Sequence, residues 1–461
     1  MENTTCRYKI NFNPDLNTGK PVIKKSDDFY ARAKDIIPAG SQTFSKGVTQ
    51  FVEGFAPKYL AKGKGSRTWD VDGNQYIDYI MANHPIVLGY ADDDVNKAVM
   101  KQLECGSSFS QMSPLEVEVA EKIIDVIPCA EAVRFGKNGS DATTAAVRVS
   151  RAVTGKEHIA YSGYHGWHDW YIANTDLNSG IPEFTKKLSH KFTFNDIHSL
   201  EKIFEETNSQ VACVIMEPLT ILEPQDNFVH KVRELCNKHN ALLVFDEVIT
   251  GFRFSNGGAQ ELLGVTPDLA TFAKGISNGI PLSAITGKKE YMFALEKTFF
   301  SFTYGGECLG LAAASASIDK IVKNNVPKYL AEIGQVLQDG FNAIAESHKV
   351  SDLVSCVGYP QRSVISLNGS DEEDTLQMKS FIQQELLRRG VLWTAYHATS
   401  YAHSSKDIEI TLNAYNDSLE MLSKLYDGPG SLKAHIEGIP VRPVFRKVSD
   451  FNSFIQQKGK V

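Results

Sequence analysis

Residues 211–247 read VACVIMEPLTILEPQDNFVHKVRELCNKHNALLVFDE, and the fold follows from this stretch. Its two ends, VACVIM and ALLVF, are short apolar runs, and each leads into a carboxylate, Glu217 and Asp246. Between them FVHKVRELCNKHN carries its apolar residues at helical spacing. Strand, helix, strand, with strands apolar on both faces, predicts a parallel sheet covered by helices on both sides. Such sheets bind ligands beyond the carboxyl ends of their strands, which makes Glu217 and Asp246 candidates to face a site. A carboxylate at a strand end also serves as a plain cap or surface group.

Working outward, SRTWDVDGNQYIDYI sets Asp72-Gly73-Asn74 between two runs of aromatic and β-branched residues, and predicts a hairpin over 67–80. Pro114 followed by Leu115, Val119, Ile123 and Val126 predicts a helix over 114–127. Beyond residue 320 the helical patterns VPKYLAEIGQVLQDGFNAIAES and EEDTLQMKSFIQQELLRRG alternate with short strands such as RSVISLN. The expected organisation is an α/β protein. A large domain over 86–319 is joined to a smaller α+β domain from 28–85 and 320–426. A polar arm at 1–27 precedes them, and an extension at 427–461 carries no assigned role.

The 461 residues include 42% hydrophobic and 22% charged residues, enough for a sizeable core. A net charge of -7, with both signs interspersed, offers no basic stripe for nucleic acid and no polybasic patch for a membrane. Seven scattered cysteines without a C-x-x-C pair point to reduced thiols in a cytoplasm. The opening MENTTCRYKINFNP is too polar for a signal peptide, and no apolar run of about 18 residues occurs.

Four local features carry chemistry. In RFGKNGSDATTAAVRVSRAVTGK, Asn138, Gly139 and Ser140 open a helix, where free amides and the positive dipole end favour an anion; a simple serine N-cap reads the same way. The loop YSGYHGWHDWY (161–171) is aromatic and glycine-punctuated, suited to stacking on a flat ligand or to core packing. Its His165 and His168 lack a third ligand at a metal-site spacing. Asp246 ends an apolar strand and could hold a ring nitrogen protonated. In LATFAKGISNGIPLSA (269–284), Lys274 stands among small and apolar residues. A lysine placed so suits covalent chemistry with a carbonyl, or else snorkels from the end of a strand.

Taken together these segments resemble the class III aminotransferases of the fold-type I pyridoxal-phosphate superfamily, especially the glutamate-1-semialdehyde aminomutase branch. The matching motifs run in order from IIPAGSQTFSK through WDVDGNQYIDYI, NGSDATTAAVRVSRAVTGK, YHGWHD, MEP, FDEVITGFR, AKGISNGIPLSAITG and TYGGECLGLAAASA to AHSSKDIEITL. The resemblance implies a mostly parallel seven-stranded sheet, pyridoxal 5'-phosphate as cofactor, and a small-molecule amine donor and carbonyl acceptor. It implies a cofactor lysine and proton carrier in Lys274, a partner for the ring nitrogen in Asp246, and Val248 packed on the ring. Phosphate would be held by Asn138, Gly139 and Ser140, Tyr164 would stack on the other face, and Glu217 would lie near the site. Thr303, in SFTYGGE, would reach the phosphate of a neighbouring subunit, so that a homodimer shares its active sites.

Three departures concern the substrate. Lys46, in PAGSQTFSK, stands where the aminomutase pattern carries an arginine for the substrate carboxylate, and lysine lacks the planar two-donor fork. The glycine-rich run after the lysine reads GISNGIP, and LWTAYHATSYAHSS replaces a segment with proline and glutamate. With Lys46, His168 and His397 as candidate substrate contacts, the expected reaction is amino transfer to an aldehyde or ketone of sugar-like or phosphorylated character. An aminomutase is the second expectation. A regulator that binds the cofactor without catalysis is the third, and the presence of both Lys274 and Asp246 argues against it.

Overall fold

The computed structural model describes Tyr8 and residues 10–443, and these fall into two compact units. One is formed from 84–88 and 92–329, the other from the described residues up to 83, 89–91 and 330–443.

The first unit is built on a seven-stranded sheet in the order Ala132–Gly136, Ser283–Gly287, Leu269–Phe272, Leu242–Asp246, Val211–Met216, His158–Ser162, Ser189–Lys191. Five neighbouring strands run parallel, whereas Ser283–Gly287 pairs antiparallel with both of its neighbours. Every residue of Val211–Met216 and Leu242–Asp246 is buried, as apolar runs in a doubly covered sheet require. The linking helix Phe228–Lys238 buries Phe228, Val229, Val232, Leu235 and Cys236, one stripe of a 3.6-residue period. Full burial of each such aliphatic or aromatic side chain is worth about 1.5–3 kcal/mol. The helix expected behind Pro114 spans Pro114–Val126, and Ser113 with Glu116 closes its capping box.

The second unit holds two small sheets. In one, Leu60–Lys64, Arg67–Asp70 and Gln75–Asp78 are antiparallel and Val391–Leu392 adds a parallel edge. The expected hairpin turns at Gly73 (φ 101°), with the Asp70 carboxylate accepting the amides of Asp72 (3.0 Å) and Asn74 (2.9 Å). In the other, Val354–Val357, Arg362–Leu367 and Tyr396–Ala398 pair antiparallel. The helices Glu372–Arg388 and Ser405–Leu425 pack on each other.

The expectation of a loose arm over 1–27 is corrected for its described part. Leu16 bridges Gln75, Asn17 is 7% exposed with its side-chain amide donated to the Leu387 carbonyl (2.9 Å), and Lys24 opens a helix to Ile36. The extension beyond 427 also belongs to this unit as far as residue 443: Leu432 and Val441 are buried, and its main chain bridges Glu53 through Ile439. Among the described residues no helix is long and apolar enough to cross a membrane, and no group of three or more ligating side chains could hold a metal. Cys129, Cys213, Cys236, Cys308 and Cys356 are buried free thiols, and Cys105 is exposed. Burial pushes the Cys213 and Cys356 thiols up to about 12, so they are inert packing groups.

Candidate active site

The site is assembled at the carboxyl ends of the parallel strands in the first unit. At the end of Ala132–Gly136 the chain enters the Gly139–Thr154 helix, with Asn138 extended at its N-cap (φ −117°, ψ 156°). The Asp141 carboxylate accepts the amides of Lys137 (3.0 Å) and Asn138 (2.7 Å). The Gly139 and Ser140 amides have no helical carbonyl ahead of them and lie at the positive end of a sixteen-residue dipole. A side chain at position 139 would put a Cβ 3.1 Å from both Val248 methyls, so Gly139 lets Val248 sit against the mouth of the helix. Together these features make a cradle whose charge and free amides are suited to an anion.

The aromatic loop is fastened to that cradle. Ser140 Oγ accepts the Trp167 amide (3.2 Å), and Thr143 Oγ1 donates to the His165 carbonyl (2.8 Å). Gly166, at φ 108°, lies so close that a Cβ there would be 2.2 Å from Ser140 Oγ. Tyr164 is 42% exposed, and its amide donates to Glu217 Oε1 (3.1 Å). A Cβ on Gly163 would come within 2.9 Å of the Glu217 side chain. Glu217 therefore orders the loop that presents the Tyr164 ring.

Asp246 ends its strand only 3% exposed. Its Oδ1 accepts the Val248 amide (3.0 Å), and its Oδ2 lies 2.7 Å from His165 Nδ1. Sequence reasoning missed this histidine partner. His165 is itself buried, and its Nε2 lies 3.1 Å from the Ser162 carbonyl. A carbonyl only accepts, so Nε2 must carry a hydrogen, and Nδ1 and Asp246 Oδ2 share a second proton between them. The pair fixes the carboxylate while Trp170 stacks on the imidazole at 6.0 Å and 17°. The available signal was indirect: a buried histidine needs a polar partner, and FDE supplied a buried acid.

On the next strand Thr271 pairs in register with Asp246, and Lys274 follows just past the strand end. Lys274 begins a short 3-10 turn, half-buried, with a left-handed backbone at φ 48°. Helix mouth, sealed acid, exposed aromatic ring and lysine suit a planar, phosphorylated aldehyde bearing a ring nitrogen.

Four expected residues stand elsewhere. His168 Nδ1 lies 2.7 Å from Thr144 Oγ1, and His168 lines a groove of about 490 Å³ with Trp167, Arg148 and Arg151. Thr303 is exposed on a segment that also exposes Phe299, Phe302 and Tyr304. His397, in the second unit, is 0% exposed, with Nδ1 2.9 Å from Ser363 Oγ and Nε2 2.7 Å from the Tyr415 hydroxyl. Burial pushes its imidazole down to about 3, and it packs a core instead of meeting a substrate. Lys46, also in the second unit, is exposed at the end of the 3-10 turn Phe44–Lys46.

The fold and this cluster define a pyridoxal-phosphate enzyme. The Aminotransferase class-III family description matches residues 53–404, and the chain belongs to that family. A relative 34% identical over 416 residues, covering 88% of this chain and 99% of its own, is the 3-aminobutyryl-CoA aminotransferase of Cloacimonas acidaminovorans (strain Evry). The glutamate-1-semialdehyde 2,1-aminomutase of Sulfurihydrogenibium sp. (strain YO3AOP1) is 33% identical over 425 residues, covering 85% of this chain and 99% of its own. Among solved structures, the FumI protein of Sphingopyxis sp. MTA144 superposes with a TM-score of 0.83 at 27% identity, over 89% of this chain and 99% of its own. The cofactor is pyridoxal 5'-phosphate, and as a family member the enzyme works on small-molecule amines and carbonyl compounds.

Proposed function

We propose that this enzyme moves an amino group from a small donor to an aldehyde or ketone whose remainder is hydroxyl-rich or phosphorylated. The observation that carries this reading is Lys46, an exposed point cation where the aminomutase pattern carries a carboxylate-clamping arginine. An ammonium suits phosphate or hydroxyl oxygens and forfeits the bidentate grip on carboxylate. The relative named for 3-aminobutyryl-CoA supports it, since that compound's carboxyl is a thioester and its carrier bears phosphates.

The bound cofactor supplies an electron sink for charge at the substrate carbon. Lys274 would hold it covalently and, once displaced, carry the proton from the substrate carbon. Asp246, steadied by His165, would keep a proton on the ring nitrogen. Gly139 and Ser140, with Asn138 beside them, would grip the phosphate, while Tyr164 and Val248 would cover the two ring faces. Glu217 would set the Tyr164 loop. We assign Thr303 to the phosphate of a second copy; the exposed rings of Phe299, Phe302 and Tyr304 give a homodimer something to cover. His168 keeps a part only as a polar group of the aromatic loop. The free, unpaired cysteines support a cytoplasmic enzyme.

The test compares kcat/KM, with glutamate as donor, for small sugar aldehydes and phosphorylated ketones against glutamate-1-semialdehyde. Preference for the phosphorylated or hydroxylated acceptors is expected. The aminomutase-named relative favours a second reading, intramolecular transfer. Conversion of glutamate-1-semialdehyde alone, with no second amino acid, would establish it in place of the first.

A further inference from the structure

The segment after Lys46 is held on two sides within the second unit. On one side Gln383, from the Glu372–Arg388 helix, donates to the Gln50 carbonyl (3.1 Å) and accepts the Val52 amide (2.9 Å). On the other lies the chain near the described C-terminal end, beyond the family match that stops at 404. Glu53 and Ile439 exchange two main-chain hydrogen bonds (3.0 and 2.9 Å), and the Arg442 amide donates to the Thr49 carbonyl (2.8 Å). The Arg442 guanidinium pairs with the Glu53 carboxylate at 2.7 Å.

This strap has its own anchors. Val441 is 2% exposed and its amide donates to Ser380 Oγ (2.9 Å). Gln384 clasps the preceding turn, donating to the His435 carbonyl (3.0 Å) and accepting the Glu437 amide (2.7 Å). Contact is closest at Gly438, where a Cβ would lie 2.3 Å from the Glu53 carbonyl oxygen. Only glycine lets the two backbones meet so closely.

From this contact the hold passes to Lys46 along a short path. The 3-10 turn Val48–Gln50 follows Phe44–Lys46 with only Gly47 between, and the Gln50 amide donates to the Gly47 carbonyl (3.1 Å). We infer that residues 438–442 are a specificity-determining strap: by pinning Thr49–Glu53 they fix the turn that presents Lys46 to the acceptor. The inference rests on the reading of Lys46 as a substrate contact. The strap residues are positioning residues; the cofactor residues all lie in the other unit.

The experiment compares holoenzymes carrying Gly438→Ala, Lys46→Ala or both, with dihydroxyacetone phosphate as acceptor and glutamate as donor. It reads KM and kcat separately, the absorbance of bound cofactor, and hydrogen exchange at the Glu53 amide. Gly438→Ala is expected to speed exchange at Glu53 and to raise the acceptor KM, each on the order of tenfold, with cofactor absorbance retained. The double variant should match Lys46→Ala alone, because both changes act through one lysine. Unchanged acceptor KM in Gly438→Ala, despite a loosened Glu53 amide and a raised KM in Lys46→Ala, would overturn the strap and spare the reading of Lys46. Unchanged exchange at Glu53 would overturn it as well. An unchanged KM in Lys46→Ala would remove Lys46 from the substrate, and the strap's role with it. Arg442→Ala, which keeps the main-chain contacts, gives a milder second variant should Gly438→Ala fold poorly.

Discussion

The lysine and the acid make separable predictions. Borohydride reduction of the holoenzyme should fix the cofactor to Lys274, read by mass in peptide mapping; a labelled peptide from elsewhere would contradict the assignment. His165→Phe removes the partner that shares a proton with Asp246 at 2.7 Å. It should leave the cofactor bound but lower kcat by about 10–100-fold, the usual cost of losing a supporting contact behind a reactive group. A kinetic isotope effect on the substrate C–H bond would tie that loss to proton removal. Lys274 and Asp246 were legible because a lone lysine in small, apolar sequence and an acid closing an apolar strand each leave a local trace. His165 and His397 were not, because burial of a histidine and the identity of its partners depend on segments far away in the chain. His397, expected as a substrate contact, is sealed between Ser363 and Tyr415.

Among the elements, the parallel strands and the Gly139–Thr154 helix followed from apolar runs and a helix-start motif, since both patterns are local. The antiparallel insertion of Ser283–Gly287 was hidden, because strand direction is settled by connection geometry and leaves no mark in composition. At the joint between loop and helix, Gly166→Ala is expected to weaken pyridoxal phosphate binding by about tenfold or more. Its Cβ would collide with Ser140 Oγ, at a backbone angle that alanine disfavours by ~1–2 kcal/mol. Titration of apoenzyme with the cofactor, followed by absorbance, measures this directly, and an unchanged Kd would place Ser140 outside the phosphate cradle.

For the molecule as a whole, the shared-site reading of Thr303 predicts complementation. Lys274→Ala subunits mixed with Thr303→Ala subunits should recover part of the activity after exchange, because one hybrid site then holds both intact residues. Verified exchange without recovery would confine each site to one chain. The alternation of helices and short strands beyond residue 320 could be read from the patterns along the chain. The integration of the two ends could not: residues 10–23 and 427–443 are polar and aperiodic, and it is their burial and their hydrogen bonds to residues such as Gln75, Leu387, Gln384 and Glu53 that show they are structural.

The backbone of Lys274 also carries a cost. At φ 48° it occupies a region where a non-glycine residue is disfavoured by ~1–2 kcal/mol. The polypeptide thus surrenders robustness at the one position that chemistry will not let it relax. Lys274→Gly should abolish turnover while raising the melting temperature of the cofactor-free protein above that of Lys274→Ala, as scanning calorimetry would record. Selection for heat resistance alone, in a laboratory library, would then tend to discard the catalyst before it discarded the scaffold.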